Sequence, residues 1–148
     1  MMPTIRKISA QEAIIVRHPV LRDGKPIESC HFDGDDLTTT QHFGLYESEI
    51  LQGVISLFEN IHPLFEEKYQ MQIRGMAVLE NNQGKGFGKL LVTHSEQILK
   101  TKKTDLIWFN ARENAVGFYQ KMGYEIIGNS FDIPNVGIHY VMWKKLGR

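Results

Sequence analysis

The sequence predicts an α/β fold, a single domain on a mixed sheet with flanking helices, and three observations predict it. At 148 residues the chain can bury one hydrophobic core but not two. Its second half alternates strand-period and helix-period patterns, from Met71 to Trp143. Its first half carries two short apolar runs joined by the polar pair Ser48-Glu49, which is the spacing of an antiparallel hairpin.

The elements follow in order. Ser9 with Glu12 three residues later forms a capping box, so the first expected element is a helix lined by Ala13, Ile14, Val16 and Leu21. Pro19 is expected to end or bend it. Residues Arg22 to Leu37 are rich in Gly, Asp and Pro and read as a long loop with a short strand at Ile27 to Phe32. Gln41 to Glu47 and Gly53 to Phe58 read as the hairpin strands, and Asn60 to Lys68, with Pro63, as a connection. Met71 to Leu79 alternates as a strand, with Met71 and Ile73 opposed to Gln72 and Arg74. Lys89 to Lys100 is helical, with Leu90, Leu91, His94, Ile98 and Leu99 on one face. Leu106 to Phe109 suits a buried strand, parallel to the Met71 strand through a right-handed crossover. Asn114 to Met122 is a second helix with Gly123 at its C-cap, and Tyr124 to Gly128 and Ile138 to Trp143 close the sheet.

Composition excludes several function classes. The apolar fraction is 42%, the charged fraction 23%, and 17 basic side chains balance 17 acidic ones, so no basic excess points to nucleic acid. No apolar run approaches the roughly 20 residues of a membrane span, and no signal-type stretch follows the N-terminus, so the expected compartment is the cytoplasm. Cys30 stands alone and reads as a small packed side chain. The six histidines show no pair at ligand spacing, so no metal is expected. Trp108 and Trp143 are expected in the core.

The chemistry-bearing feature is Gln83-Gly84-Lys85-Gly86-Phe87-Gly88, between a strand and a helix. Alternating glycines let the backbone approach an anion, the helix start offers unpaired N–H groups, and Lys85 and Lys89 add positive charge. The Walker pattern fails on spacing and on Leu90 after Gly88-Lys89. The dinucleotide fingerprint fails because Lys89 occupies its sixth position. Gln-x-x-Gly-x-Gly is matched by Gln83, Gly86 and Gly88. A second motif follows in Asn110-Ala-Arg-Glu-Asn114-Ala-Val-Gly-Phe118-Tyr119-Gln-Lys-Met-Gly123-Tyr124.

On these two motifs, in this order and with one helix and one strand between them, the sequence resembles the Gcn5-related N-acetyltransferase (GNAT) superfamily. The match runs over Met71 to Lys145; the first 60 residues agree in element order only. The resemblance implies an acyl-CoA N-acyltransferase fold: a mixed, mostly antiparallel sheet splayed between the parallel Met71 and Leu106 strands. It implies that acetyl-CoA is the acyl donor. Backbone groups of Met76, Ala77 and Val78 would meet the pantetheine arm and thioester. Gln83, Gly84, Lys85, Gly86, Phe87, Gly88 and Lys89 would hold the pyrophosphate, and Asn110, Asn114, Phe118 and Tyr119 would complete the cofactor site. Asn114 also suits a helix N-cap. Tyr119 matches the family tyrosine beside the departing sulfur and is the candidate general acid, against the alternative of a core aromatic. For the base, His31, His42, Glu59 and His139 are candidates, and His139 is the one selected.

The acceptor implied is a primary amine of a small molecule or peptide. Arg17, His18, Arg22, Asp33, Asp35 and Asp36 lie on the acceptor-side loops, and their mixed charge does not identify it. A homodimer is compatible, since dimers are common among related enzymes. The competing reading is a non-catalytic acyl-CoA-binding or sensing module on the same fold.

Overall fold

The computed structural model describes residues 2–147. The described chain comprises two compact units, one of residues 2–59 and 73–98 and one of residues 60–72 and 99–147.

The first unit opens with β1 (Thr4–Ile8), a strand absent from the sequence reading because only Ile5 and Ile8 among its residues are apolar. It pairs antiparallel with β2 (Gln41–Glu47), Ile8 opposite His42. Helix α1 (Ala10–Leu21) starts on the expected capping box: the Glu12 N–H donates to Ser9 Oγ and the Ser9 N–H to Glu12 Oε1. These bonds also lower the Glu12 carboxyl below its usual range. Pro19 does not end the helix. It sits in the last turn, and the Arg22 N–H still closes on His18 O at 3.1 Å. Its missing N–H deletes one bond near an end where the following carbonyls are already unpaired. Ile27–Cys30 is a 3-10 turn rather than a strand, because Pro26 accepts from Ser29 through both N–H and Oγ–H. The hairpin is as expected. β2 pairs antiparallel with β3 (Ile50–Glu59) through Ser48 and Glu49, both at positive φ, the backbone of a two-residue turn. Ile8, Ala13, Val16, Val54 and Ala77 form one core cluster of this unit.

β4 (Gln70–Val78) contributes its first residues to the second unit and the rest to the first. Both of its faces are buried at Met71, Gln72 and Ile73, so the alternation in the sequence does not separate core from solvent there. Helix α2 (Phe87–Thr101) begins two residues earlier than expected. Its buried stripe is Leu91, Val92, Ser95 and Leu99, while Leu90 is exposed. The Ser95 hydroxyl is accommodated by donating to Leu91 O at 2.8 Å.

In the second unit Gln70, Met71 and Gln72 of β4 pair parallel with Leu106, Ile107 and Trp108 of β5 (Leu106–Arg112). β5 pairs antiparallel with β7 (Gly137–Lys145), and β7 with β6 (Glu125–Ile133). The expected second helix divides into a 3-10 turn, Glu113–Ala115, and α3 (Val116–Lys121). Gly123 stands at φ +94° just past α3, and the Tyr124 N–H reaches back to Tyr119 O. Leu106, Trp108 and Val141 form one core cluster, with Trp143 half-buried at its margin. The strand order β1-β2-β3-β4-β5-β7-β6 makes a mixed sheet of seven strands with flanking helices, the α/β class expected.

Candidate active site

The glycine loop lies in the first unit. Gln83 follows the 3-10 turn Glu80–Asn82 and donates its side-chain amide to Val78 O at 3.0 Å, tying the loop to the end of β4. Gly84 and Gly86 stand at φ +86° and +82°, and nothing lies within 4 Å of where a Cβ would project at either. The backbone therefore runs in a form that other residues resist, with open space beside it. The first helical bond of α2 is Leu90 N–H to Gly86 O, so the N–H groups just before it have no intrahelical acceptor. Phe87 is buried and anchors the turn; Gly88 and Lys89 begin the helix. Lys85 donates to Asn82 Oδ1 at 2.8 Å and lies 3.7 Å from Glu47, so part of its charge is already answered. Beside the loop opens a recess of about 680 Å³ lined by Pro19, Val20, Leu79, Glu80, Asn81 and Gln83. Open positive-φ glycines at a helix start fit a pyrophosphate. On β4, Ala77 is buried and Met76 and Val78 are half-buried; the Val78 carbonyl is taken by Gln83.

In the second unit Tyr119 is 8% exposed, packed on Phe109 at 4.3 Å between ring centroids and on Phe118 at 5.0 Å. Burial pushes its phenol up to about 12. Tyr119 is therefore a neutral hydrogen-bond donor throughout the physiological range. Phe118 is 39% exposed, so the aromatic stripe is only partly core. Asn110 and Asn114 are exposed. Asn114 is not the cap of α3: that place belongs to Ala115, which makes no capping bond, because the 3-10 turn carries the chain in.

The candidate bases separate on their bonds. His42 is buried and fully engaged. Its Nε2–H donates to Asp35 O at 2.9 Å, so its Nδ1 accepts from the Ser56 hydroxyl at 2.6 Å. His31 is exposed and paired to Asp36 at 2.9 Å, and Glu59 is exposed. His139 is 4% exposed on β7. Its Nδ1 donates to Gly137 O at 2.8 Å, which leaves the Nε2 lone pair as its basic position.

Two acceptor-side residues are not where mixed surface charge would put them. Arg17 and Asp35 are both fully buried and bonded to each other at 2.6 and 3.0 Å. Arg17 also donates to Cys30 O and Ser56 Oγ. The sequence reading singled out neither Phe32 nor Arg74 as functional. The available signal was an arginine within the alternating strand Met71 to Leu79. Among the described residues no group of three or more His, Cys, Asp or Glu side chains is placed to hold a metal. Among the described residues no helix is long and apolar enough to cross a membrane.

Comparison with known proteins agrees with the fold. The pattern of the Acetyltransferase (GNAT) family matches residues 9–124. The uncharacterized N-acetyltransferase YitI of Bacillus subtilis (strain 168) is 33% identical over 145 residues, 98% of this chain and 97% of that protein. Among solved structures, the ribosomal-protein-S18-alanine N-acetyltransferase of Escherichia coli superposes with a TM-score of 0.78 at 14% identity, over 99% and 96% of the two chains. An aminoglycoside 6'-N-acetyltransferase in complex with coenzyme A superposes with a TM-score of 0.77 at 12% identity, over 98% of each. The chain belongs to the GNAT family of acetyltransferases, which use acetyl-CoA as the acyl donor, and it has the acyl-CoA N-acyltransferase fold.

Proposed function

We propose that the chain is a single-domain N-acetyltransferase that moves an acetyl group from acetyl-CoA to a primary amine of a small molecule or peptide. The amine attacks directly, with both substrates bound. The observation that carries the reading is the open, positive-φ Gly84/Gly86 turn, tied to β4 by Gln83 and running into the N-terminus of α2. Gln83 to Lys89 would hold the pyrophosphate. Backbone groups of Met76 to Val78 would hold the arm, and Asn110, Asn114 and Phe118 would add side-chain contacts. The bound donor supplies an acetyl thioester.

The residues divide the proton work. His139 Nε2 takes the proton that an ammonium must lose before its nitrogen can attack. Tyr119 donates its hydroxyl to the departing sulfur. Burial keeps that hydroxyl protonated, so it holds a hydrogen bond on the leaving sulfur, and the nitrogen's second proton, lost as the amide forms, passes to the thiolate.

The test is steady-state kinetics with a responsive amine. Tyr119→Phe is expected to lower kcat by roughly 10²-fold with little change in KM for acetyl-CoA. His139→Ala is expected to remove the acid limb of the pH–rate profile. An unchanged kcat in the first variant takes Tyr119 out of the chemistry, and an unchanged profile in the second takes His139 out.

A further inference from the structure

Phe32, on the loop after α1, is a buried ring that gathers cations. The guanidinium carbon of Arg17 lies 4.0 Å from its centroid, that of Arg74 4.6 Å and that of Arg22 5.9 Å. Arg74 also lies 5.3 Å from the Phe58 centroid. Three positive charges converge on one ring, and the carboxylate buried among them is Asp35. Its oxygens are committed: Oδ2 accepts from Arg17 Nη1 and from the Phe32 N–H at 2.9 Å, and Oδ1 accepts from Arg17 Nη2. Arg74 has no carboxylate within ion-pair distance among the described residues. Behind it, Arg17 Nε is fully buried with no acceptor. Buried donors are rarely left so. Gly75, at φ +66°, lets the Phe32 ring and Arg17 close against the β4 backbone: a Cβ there would stand 2.9 Å from the ring and 3.0 Å from Arg17 Nε. Burial first, then the charge of Arg17, pushes Arg74 below its usual range, against the opposing pull of Asp35 and Asp33.

We propose that Arg74, flanked by Arg22 and backed by Arg17, forms an anion subsite that takes a carboxylate carried by the amine acceptor. The proposal rests on the acetyl-transfer reading for its location. Arg74 is two residues before Met76 on β4, about 7 Å along the strand. The spacing suits a small amine whose carboxylate lies a few bonds from its nitrogen. A planar guanidinium held over aromatic rings is the group that grips a carboxylate through two parallel bonds.

The experiment compares amino acids with their carboxamides as acceptors, for the parent protein, Arg74→Gln and Arg74→Lys. The parent is expected to favour the acids by at least roughly 10-fold in kcat/KM. Arg74→Gln is expected to lose that preference through KM on the acids, with the amides unchanged, and Arg74→Lys to recover part of it. Equal losses on acids and amides, or no preference in the parent, overturn the proposal. Acetyl-CoA must still raise the melting temperature of each variant, which separates a lost subsite from a lost fold. If the parent acetylates no amine, the acetyl-transfer reading fails, and the subsite is decided by binding alone. Succinate must then raise the melting temperature of the parent and not of Arg74→Gln. No shift, an equal shift in both, or a larger shift with inorganic phosphate overturns it.

Discussion

Arg17 holds a full charge with no solvent exposure, which is tolerable only because nearly every donor finds an acceptor. Burial by itself would raise the Asp35 carboxyl. The Arg17 bonds, the Phe32 N–H and the Arg17 charge together outweigh it, and the net effect lowers it. A carboxyl lowered on folding adds stability above its unfolded value, near 3.8, and loses it as pH falls through the folded one. Asp35→Asn keeps the volume and removes the charge, leaving Arg17 uncompensated. It is expected to cost about 3–5 kcal/mol, read from urea unfolding midpoints at neutral pH. A loss under 1 kcal/mol would show that the pair contributes little. The same network disposes of His42 as a base, since both its ring nitrogens are occupied. Sequence spacing could not reveal this: Arg17, Asp35, His42 and Ser56 are far apart in the chain and meet only through packing.

At the scale of elements, local chemistry was legible wherever its partners are near in sequence. The capping box of α1 and the hairpin at Ser48-Glu49 form as read, because each closes within a few residues. β1 and the turn at Ile27–Cys30 were misread for the opposite reason. β1 exists by pairing with β2, some forty residues on, and the Ile27 segment is bent by Pro26 despite its strand-like composition. Helix α2 offers a test of burial. His94 lies on it, edge-on to Phe43 at 4.9 Å between centroids, and desolvation lowers its imidazole below 6.5. The unfolded chain therefore takes up this proton first as pH falls. Stability from this group is whole above about pH 6.5 and falls below it, levelling once the folded imidazole is also charged. Replacing His94 with Phe is expected to flatten that part of the stability–pH curve. A curve of unchanged slope between pH 7 and 5 would assign the loss to other groups.

For the whole molecule the relevant prediction is linkage. A ligand that binds only the folded chain stabilises it by RT ln(1 + [L]/Kd), about 2.7 kcal/mol at a hundredfold excess over Kd. At about 2–4 °C per kcal/mol for a chain of this size, saturating acetyl-CoA is expected to raise a single melting transition by about 5–10 °C. ATP and NAD are expected to leave it in place, because the loop lacks the Walker and dinucleotide spacings. A rise with ATP alone would contradict the acyl-CoA assignment.

The sequence by itself determined the family and the donor. The loop proposed to hold that donor, Gln83, Gly84, Gly86 and Gly88, would act through backbone conformation and a helix end, both of which are local and therefore written in residue order. Only the tertiary structure decided which charged residues are spent on holding the first unit together and which are left to bind. Arg17 and Arg74 are indistinguishable as letters. Burial against Asp35 commits one, and stacking on Phe32 and Phe58 without a carboxylate leaves the other open. That difference depends on neighbours brought from distant positions, and no local pattern records it.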